Sequence, residues 1–224
     1  MEYATLNNGV KMPMAGIGTF LLTPDEAEAS CVSALQNGYR LIDTANAYCN
    51  EKAVGRAMKK SGLLREEIFL ETKLWPTFYT DADAVDKTLA RLDTDYIDLL
   101  LVHWPNPDQG RYVEAFQGLV RLLEAGLVKS IGTSNFKPAH LQKLFDLGLV
   151  PHLNQIQLDP YHLRDDLVDA VPVDERWLGA MGARGATGAT GEPARDPFGW
   201  LPIRPGTDVA LLLALMWVLE DEDL

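Results

Sequence analysis

Short apolar runs alternate with amphipathic segments through the first 168 residues of the chain. Six of these runs have the length and composition of buried strands. They cover residues 15–18, 40–43, 68–72, 97–102, 129–132 and 153–156. Strands that are covered on both faces show such continuous hydrophobic character, which is typical of parallel sheets. The pattern therefore predicts a parallel sheet with segments of another kind between its strands.

The intervening segments carry the signals of helix ends. Thr23-Pro24-Asp25-Glu26 is a capping box with proline at the first helical position, and the helix it opens is predicted to stop at Asn37-Gly38. Asn50 is predicted to cap the next helix, and Thr80 and Asp81 are predicted to open the one after it. The four later helices are predicted over about residues 50–60, 80–92, 112–124 and 138–148.

Strands that alternate with helices fit either an open doubly wound sheet or a closed (β/α)8 barrel of the TIM type. Gly16-Ile17-Gly18 lacks the third glycine of a dinucleotide-binding fingerprint, which argues against the doubly wound sheet. Polar residues instead lie at the C-terminal ends of successive strands, as in a barrel. The sequence thus predicts an α/β fold of parallel (β/α)8 type. It is truncated after about six strands, because Val171-Pro172-Val173 is too short for a seventh.

Four polar residues follow or end these strands in a way that suggests chemistry. Asp43, Lys73 and His103 close the second, third and fourth strands, and Tyr48 lies in the loop after Asp43. The same ends of parallel barrel strands share one face, so the four side chains can converge. Lys73 and Asp43 are expected to pair, and a positive charge beside Tyr48 is expected to lower the pKa of its phenol. Such a phenol can donate a proton to a carbonyl oxygen, and a neutral histidine can orient that oxygen.

The residues around these positions resemble the aldo-keto reductases, in particular the bacterial branch that includes 2,5-diketogluconate reductases. The resemblance runs over about residues 6–168, and four stretches carry it: Gly38 to Tyr48, Leu70 to Trp75, Asp95 to Pro105 and Ile131 to Phe136. It implies reduction of an aldehyde, ketone or keto-sugar carbonyl to an alcohol with NADPH and without a metal. The two cysteines, Cys31 and Cys49, form no disulfide framework, which favours a reducing cytoplasm.

The resemblance also implies individual roles. Tyr48 would be the general acid, Asp43 and Lys73 would tune it, and His103 would orient the substrate. Trp75 matches a position that lines the substrate pocket. The positions that hold the nicotinamide carboxamide correspond to Ser134, Asn135 and Gln155.

The rest of the chain departs from this family. Glycine recurs at every third position from Gly179 to Gly191, and residues 169–195 are predicted to be a Gly/Ala-rich linker rather than a short collagen helix. Residues 196–224 are predicted to form a turn and an amphipathic helix of different origin. This tail resembles a fragment of the molybdopterin oxidoreductases, in which the positions of Gly206, Thr207 and Asp208 contact the dinucleotide. The two resemblances together predict a chimeric chain.

Composition limits the alternatives. The net charge of −12 argues against nucleic acid as a partner, and no stretch of the sequence has the apolar length of a membrane span. Two alternatives to an active enzyme remain. The chain could be an inactive remnant that cannot hold the cofactor and associates with itself through open sheet edges, or the tail could recruit a molybdenum cofactor.

Overall fold

In the computed structural model, which describes residues 2–157, one six-stranded parallel sheet carries five helices. A two-stranded antiparallel hairpin, β1 and β2, precedes this sheet. The hairpin strands are Tyr3–Thr5 and Lys11–Pro13. The sheet strands β3 to β8 are Gly16–Gly18, Leu41–Asp43, Phe69–Leu74, Ile97–Val102, Val128–Ser134 and Asn154–Gln155. The helices α1 to α5 are Pro24–Gln36, Glu51–Lys60, Ala84–Leu92, Tyr112–Glu124 and Pro138–Phe145.

The order of the strands in the sheet decides between the two architectures. Each strand from β3 to β8 pairs in parallel with the next strand along the chain. A doubly wound sheet reverses its strand order at a switch point, whereas a barrel adds its strands in sequence. The described residues therefore form six consecutive strands of a (β/α)8 barrel, and the predicted fold class is confirmed.

Two hydrophobic layers follow from the alternation of side chains along the strands. On the outer face, side chains such as Leu70 and Leu100 pack against the helices. On the inner face, Leu41, Phe69 and Leu101 pack together with Met12 from the hairpin. Since Phe69 is on the inner face of β5, the residues two and four positions later point the same way. This alternation brings charged side chains into the interior of the sheet.

The helix beginnings show where local signals were sufficient. The predicted capping box at Thr23 is present, with Glu26 bonded back to the cap. Asn50 precedes α2, but its side-chain oxygen makes no capping bond; it accepts instead from the hydroxyl groups of Thr19 and Thr44, at 3.4 and 3.3 Å. The prediction that the Asn50 side chain caps this helix was therefore wrong, because its oxygen accepts hydrogen bonds from two buried threonines.

The third helix also begins later than predicted. Thr80 and Asp81 lie before α3, which starts at Ala84. The carboxylate of Asp81 accepts a hydrogen bond from the backbone N–H of Asp83, 3.0 Å away, and forms an ion pair with Lys87. This turn satisfies local donors without extending the helix.

The hairpin was not predicted, and it packs at the N-terminal ends of the barrel strands. Asn8 donates to the carbonyl oxygen of Lys129 at 3.0 Å, and Asn7 donates to that of Pro151 at 2.9 Å. Together with buried Met12, these contacts close the end of the sheet opposite the polar strand ends.

No helix among residues 2–157 is long and apolar enough to cross a membrane.

The predictions for the C-terminal part lie outside the described residues. These are the linker over 169–195, the turn and helix over 196–224, and the contacts assigned to Gly206, Thr207 and Asp208. They stay predictions.

Candidate active site

The four predicted residues lie at or just beyond the C-terminal ends of three neighbouring strands. Asp43 is the last residue of β4, Lys73 is the penultimate residue of β5, and His103 follows β6 directly. Tyr48 ends a short 3-10 helix that follows β4. Because parallel strands present these ends on one side, the structure brings the four side chains together as predicted.

An ion pair between Lys73 and Asp43 lies at the base of this group. The lysine ammonium contacts the Asp43 carboxylate and donates to the carbonyl oxygen of Thr44 at 3.1 Å. Both side chains are completely shielded from solvent. Although burial opposes the charge of Lys73, the negative charge of Asp43 holds the lysine pKa above its ordinary value. A fixed positive charge thus lies inside the barrel.

Tyr48 lies above this charge and beside the histidine. Lys73 Nζ is 5.5 Å from the centroid of the Tyr48 ring, and the Tyr48 hydroxyl oxygen is 3.4 Å from Nε2 of His103. The predicted lowering of the phenol pKa was wrong. Burial raises the pKa of Tyr48 above its ordinary value, and the positive charge of Lys73 offsets this only in part. The phenol therefore retains its proton at neutral pH.

His103 is neutral, as predicted. Burial and the nearby Lys73 charge lower its pKa to about 3. Its Nδ1 atom is buried and has no hydrogen-bond partner within residues 2–157. A neutral imidazole with Nε2 facing a phenol can accept or donate a hydrogen bond there, according to its tautomer.

The ring of His103 is expected to stay uncharged between pH 5 and pH 8. Its folded pKa of about 3 lies below the ordinary value of 6.5. The neutral ring therefore contributes its full stability above pH 6.5, and that stability is lost as the pH falls from 6.5 toward 3. The NMR chemical shift of its Cε1 proton should be constant over this range, with a His103→Gln variant to assign the signal. An inflection near pH 6.5 in the His103 signal would contradict the expectation.

Aromatic rings surround the open side of the Tyr48–His103 pair. Trp75 packs edge-on against His103 with 5.0 Å between centroids, and 37% of its surface is exposed. Phe20 packs against Tyr48 at 5.1 Å and is also exposed. Phe20 was missed by the sequence reasoning, since it stands in a loop outside any motif. Together Trp75 and Phe20 give the site apolar walls.

The three residues predicted to contact a carboxamide lie at the ends of the next two strands. Ser134 ends β7, Gln155 ends β8, and Asn135 joins them through its backbone N–H, which donates to the Gln155 carbonyl oxygen at 2.8 Å. Asn135 has a left-handed backbone with φ of 62°, and its amide donates to the backbone oxygen of His103 at 3.2 Å. These contacts place the group directly beside the histidine.

A hydroxyl and two carboxamides can both donate and accept hydrogen bonds, as an amide ligand requires. Ser134 and Gln155 are each only 2% exposed, so they hold these groups at fixed positions in the interior. The polar groups of Ser134, Asn135 and Gln155 therefore fit the carboxamide end of a nicotinamide.

A further acidic residue, Glu71, lies under this site and was not singled out from the sequence. It is fully buried on β5, and Gln155 donates to its Oε1 atom at 2.7 Å. The available signal was a lone carboxylate within the apolar run of residues 68–72.

Comparisons with known proteins identify the family to which the described fold belongs. The model of the aldo/keto reductase family matches residues 14–170. An aldo-keto reductase of Mycolicibacterium smegmatis is 43% identical over 170 residues, which are 74% of this chain and 62% of that protein. A methylglyoxal reductase, DkgA, of Yersinia pestis is 45% identical over 69% of this chain and 57% of its own length.

A solved structure of an aldo/keto reductase has a similar fold. The crystal structure of an aldo/keto reductase from Brucella melitensis superposes with a TM-score of 0.70 at 42% identity, over 74% of this chain and 66% of that one. The chain thus spans about three fifths of the length of the curated relatives it matches.

Proposed function

The chain belongs to the aldo/keto reductase family, and on that premise we propose that it reduces an aldehyde, ketone or keto-sugar carbonyl to an alcohol with NADPH. The observation that carries the proposal is the contact between the Tyr48 hydroxyl and Nε2 of His103, 3.4 Å apart, over the buried Lys73–Asp43 pair. This arrangement places a neutral proton donor, a neutral hydrogen-bonding group and a fixed positive charge next to one another.

Each residue has a distinct part in this proposal. Tyr48 gives its proton to the carbonyl oxygen as negative charge develops there. His103 hydrogen-bonds to the same oxygen and orients it. The ammonium of Lys73 stabilises the phenolate that Tyr48 becomes when it gives up its proton. Asp43 keeps that ammonium charged and in place. The general acid needs no lowered pKa at rest, because its proton moves only when the oxygen becomes basic.

Two further groups of residues would hold the reactants. Ser134, Asn135 and Gln155 would bind the carboxamide of the nicotinamide, and when bound the cofactor supplies the hydride. The exposed rings of Trp75 and Phe20 would exclude water from the substrate and favour a carbonyl compound with an apolar face. Methylglyoxal, after which the DkgA relative is named, is the first compound to assay.

Titration of the purified chain with NADPH is the decisive experiment. Binding is expected to quench tryptophan fluorescence, because Trp75 lies at the site, and methylglyoxal should then consume NADPH. Ser134→Ala is expected to weaken NADPH binding about tenfold through loss of one hydrogen bond. Ser130→Ala, a buried serine in the N-terminal half of the same strand, should leave NADPH binding unchanged.

A folded chain, judged by circular dichroism, that binds no NADPH at millimolar concentration would overturn the proposal. That result would favour the alternative in which the chain retains the proton-donating residues without holding the cofactor. Equal loss of binding in Ser134→Ala and Ser130→Ala would instead contradict the assignment of Ser134.

A further inference from the structure

Two carboxylates and one ammonium occupy the inner face of β4 and β5 beneath the site. Asp43 and Glu71 face each other in register on these strands, and both are fully buried. Lys73 contacts Asp43 directly, while its Nζ is 3.8 Å from Oε1 of Glu71. If both acids were ionised, the group would carry a net negative charge in the interior, which is costly.

The hydrogen bonds point to the same imbalance. One oxygen of each carboxylate, Oδ2 of Asp43 and Oε2 of Glu71, is buried without a partner in the described part of the chain. Ionised carboxylates only accept hydrogen bonds, so two of them cannot satisfy each other. One proton between the two groups would satisfy both oxygens and bring the net charge of the three residues to zero.

We propose that Glu71 is a neutral carboxylic acid whose O–H group donates a hydrogen bond to Asp43, and that it positions both the Asp43–Lys73 pair and Gln155. Asp43 keeps the negative charge because Lys73 contacts it directly. The remaining oxygen of Glu71 accepts the 2.7 Å hydrogen bond from Gln155. Glu71 therefore links the proton-donating residues to a residue of the carboxamide group; this last consequence rests on the proposed function.

The electrostatic surroundings support this assignment. Burial raises the pKa of Glu71 well above its ordinary value, and the negative charge of Asp43 raises it further. Lys73 acts in the opposite direction, but its closer contact is with Asp43. The groups that face Glu71 from the neighbouring elements are Asp43 on β4, Lys73 on its own strand and the neutral amide of Gln155 on β8.

Infrared spectroscopy of the whole chain at pH 7 tests the proposal without an activity assay. The wild type should show a carboxylic-acid C=O band that shifts in D2O, and Glu71→Gln should remove it. Glu51→Gln is the matched control, since Glu51 is also buried but forms an ion pair with Arg91 at 2.6 Å. It should leave the band in place. Absence of the band from the wild type, or its persistence in Glu71→Gln, would overturn the proposal.

Unfolding at several pH values gives a second measure. Because the pKa of Glu71 is higher in the folded chain than in the unfolded chain, its protonation stabilises the fold. This stabilisation is complete below the unfolded pKa of about 4.5 and is lost as the pH rises. Between pH 5 and pH 7 the ratio of the wild-type to the Glu71→Gln unfolding constant should therefore rise about tenfold per pH unit. A ratio independent of pH would contradict a neutral Glu71.

A glutamine side chain can donate to Asp43 and accept from Gln155, as the neutral acid does. Glu71→Leu can do neither, so its urea midpoint at pH 5 should fall well below that of Glu71→Gln. Equal midpoints would show that the side chain merely fills space. None of these results depends on turnover, so their failure is distinct from failure to bind NADPH.

Discussion

Replacement of Tyr48 by phenylalanine is expected to lower kcat for carbonyl reduction by about 10²- to 10⁴-fold. The variant loses the proton that the site holds next to His103, while the ring and its packing against Phe20 are retained. NADPH affinity should change little, because Ser134 and Gln155, which are proposed to bind the carboxamide, lie on other strands. Rates of NADPH consumption with methylglyoxal, together with fluorescence titration of the cofactor, measure the two effects separately.

Tyr112→Phe is the matched control for this variant. Tyr112 is a buried tyrosine on α4 that packs edge-on against Phe136 at 5.3 Å, far along the chain from Tyr48. Loss of its hydroxyl should leave kcat unchanged. A Tyr48→Phe variant that keeps more than about a tenth of the wild-type kcat would remove Tyr48 from the role of general acid, because a positioned acid contributes at least ~100-fold.

The convergence of Asp43, Lys73 and His103 could be predicted because it depends on the order of the strands alone. Once consecutive parallel strands are predicted, residues at the ends of β4, β5 and β6 must lie on one side. Asp43, Lys73 and His103 satisfied this condition in the sequence.

The protonation of the same residues could not be predicted in this way. The sequence shows that Tyr48 and Lys73 are near one another, which lowers the pKa of a phenol. It does not show how much of the phenol is withdrawn from water, and burial proves the larger effect. Glu71 was not singled out because its neighbours Asp43 and Gln155 lie on other strands, the latter 84 residues away along the chain.

Local signals failed where a side chain had a competing partner. Asparagine is a residue type that often caps helices, but the side-chain oxygen of Asn50 accepts from the hydroxyl groups of Thr19 and Thr44 instead. The hairpin of β1 and β2 was missed because its three-residue strands are too short to show a clear apolar pattern.

Replacement of Lys73 by methionine is expected to lower the free energy of unfolding by about 3–5 kcal/mol at pH 7. Methionine fills a similar volume, so the loss arises from the buried Asp43 carboxylate that is left without its cation. This difference in the free energy of unfolding between the wild type and the variant should grow with pH. Without Lys73 the folded pKa values of the buried acids rise further, and a raised pKa gives stability at low pH that is lost as the pH increases above about 4.

Lys59→Met tests the same chemistry at the surface. Lys59 pairs with Asp93, and their side chains are 62% and 68% exposed, so its loss should cost less than about 1 kcal/mol. Urea unfolding of both variants at pH 5 and pH 8 measures the contrast. Similar destabilisation by the two substitutions would show that burial does not strengthen the Lys73–Asp43 interaction.

The double variant Asp43→Asn with Lys73→Met keeps the experiment informative if the single variant does not fold. Removal of both charges leaves this part of the interior without an ionised group, provided that Glu71 is neutral, and should recover much of the lost stability. A double variant as unstable as Lys73→Met would mean that a negative charge remains beside position 43, and the group placed to carry it is an ionised Glu71. Comparison of the double variant with Lys73→Met therefore tests both the Lys73–Asp43 ion pair and the protonation of Glu71.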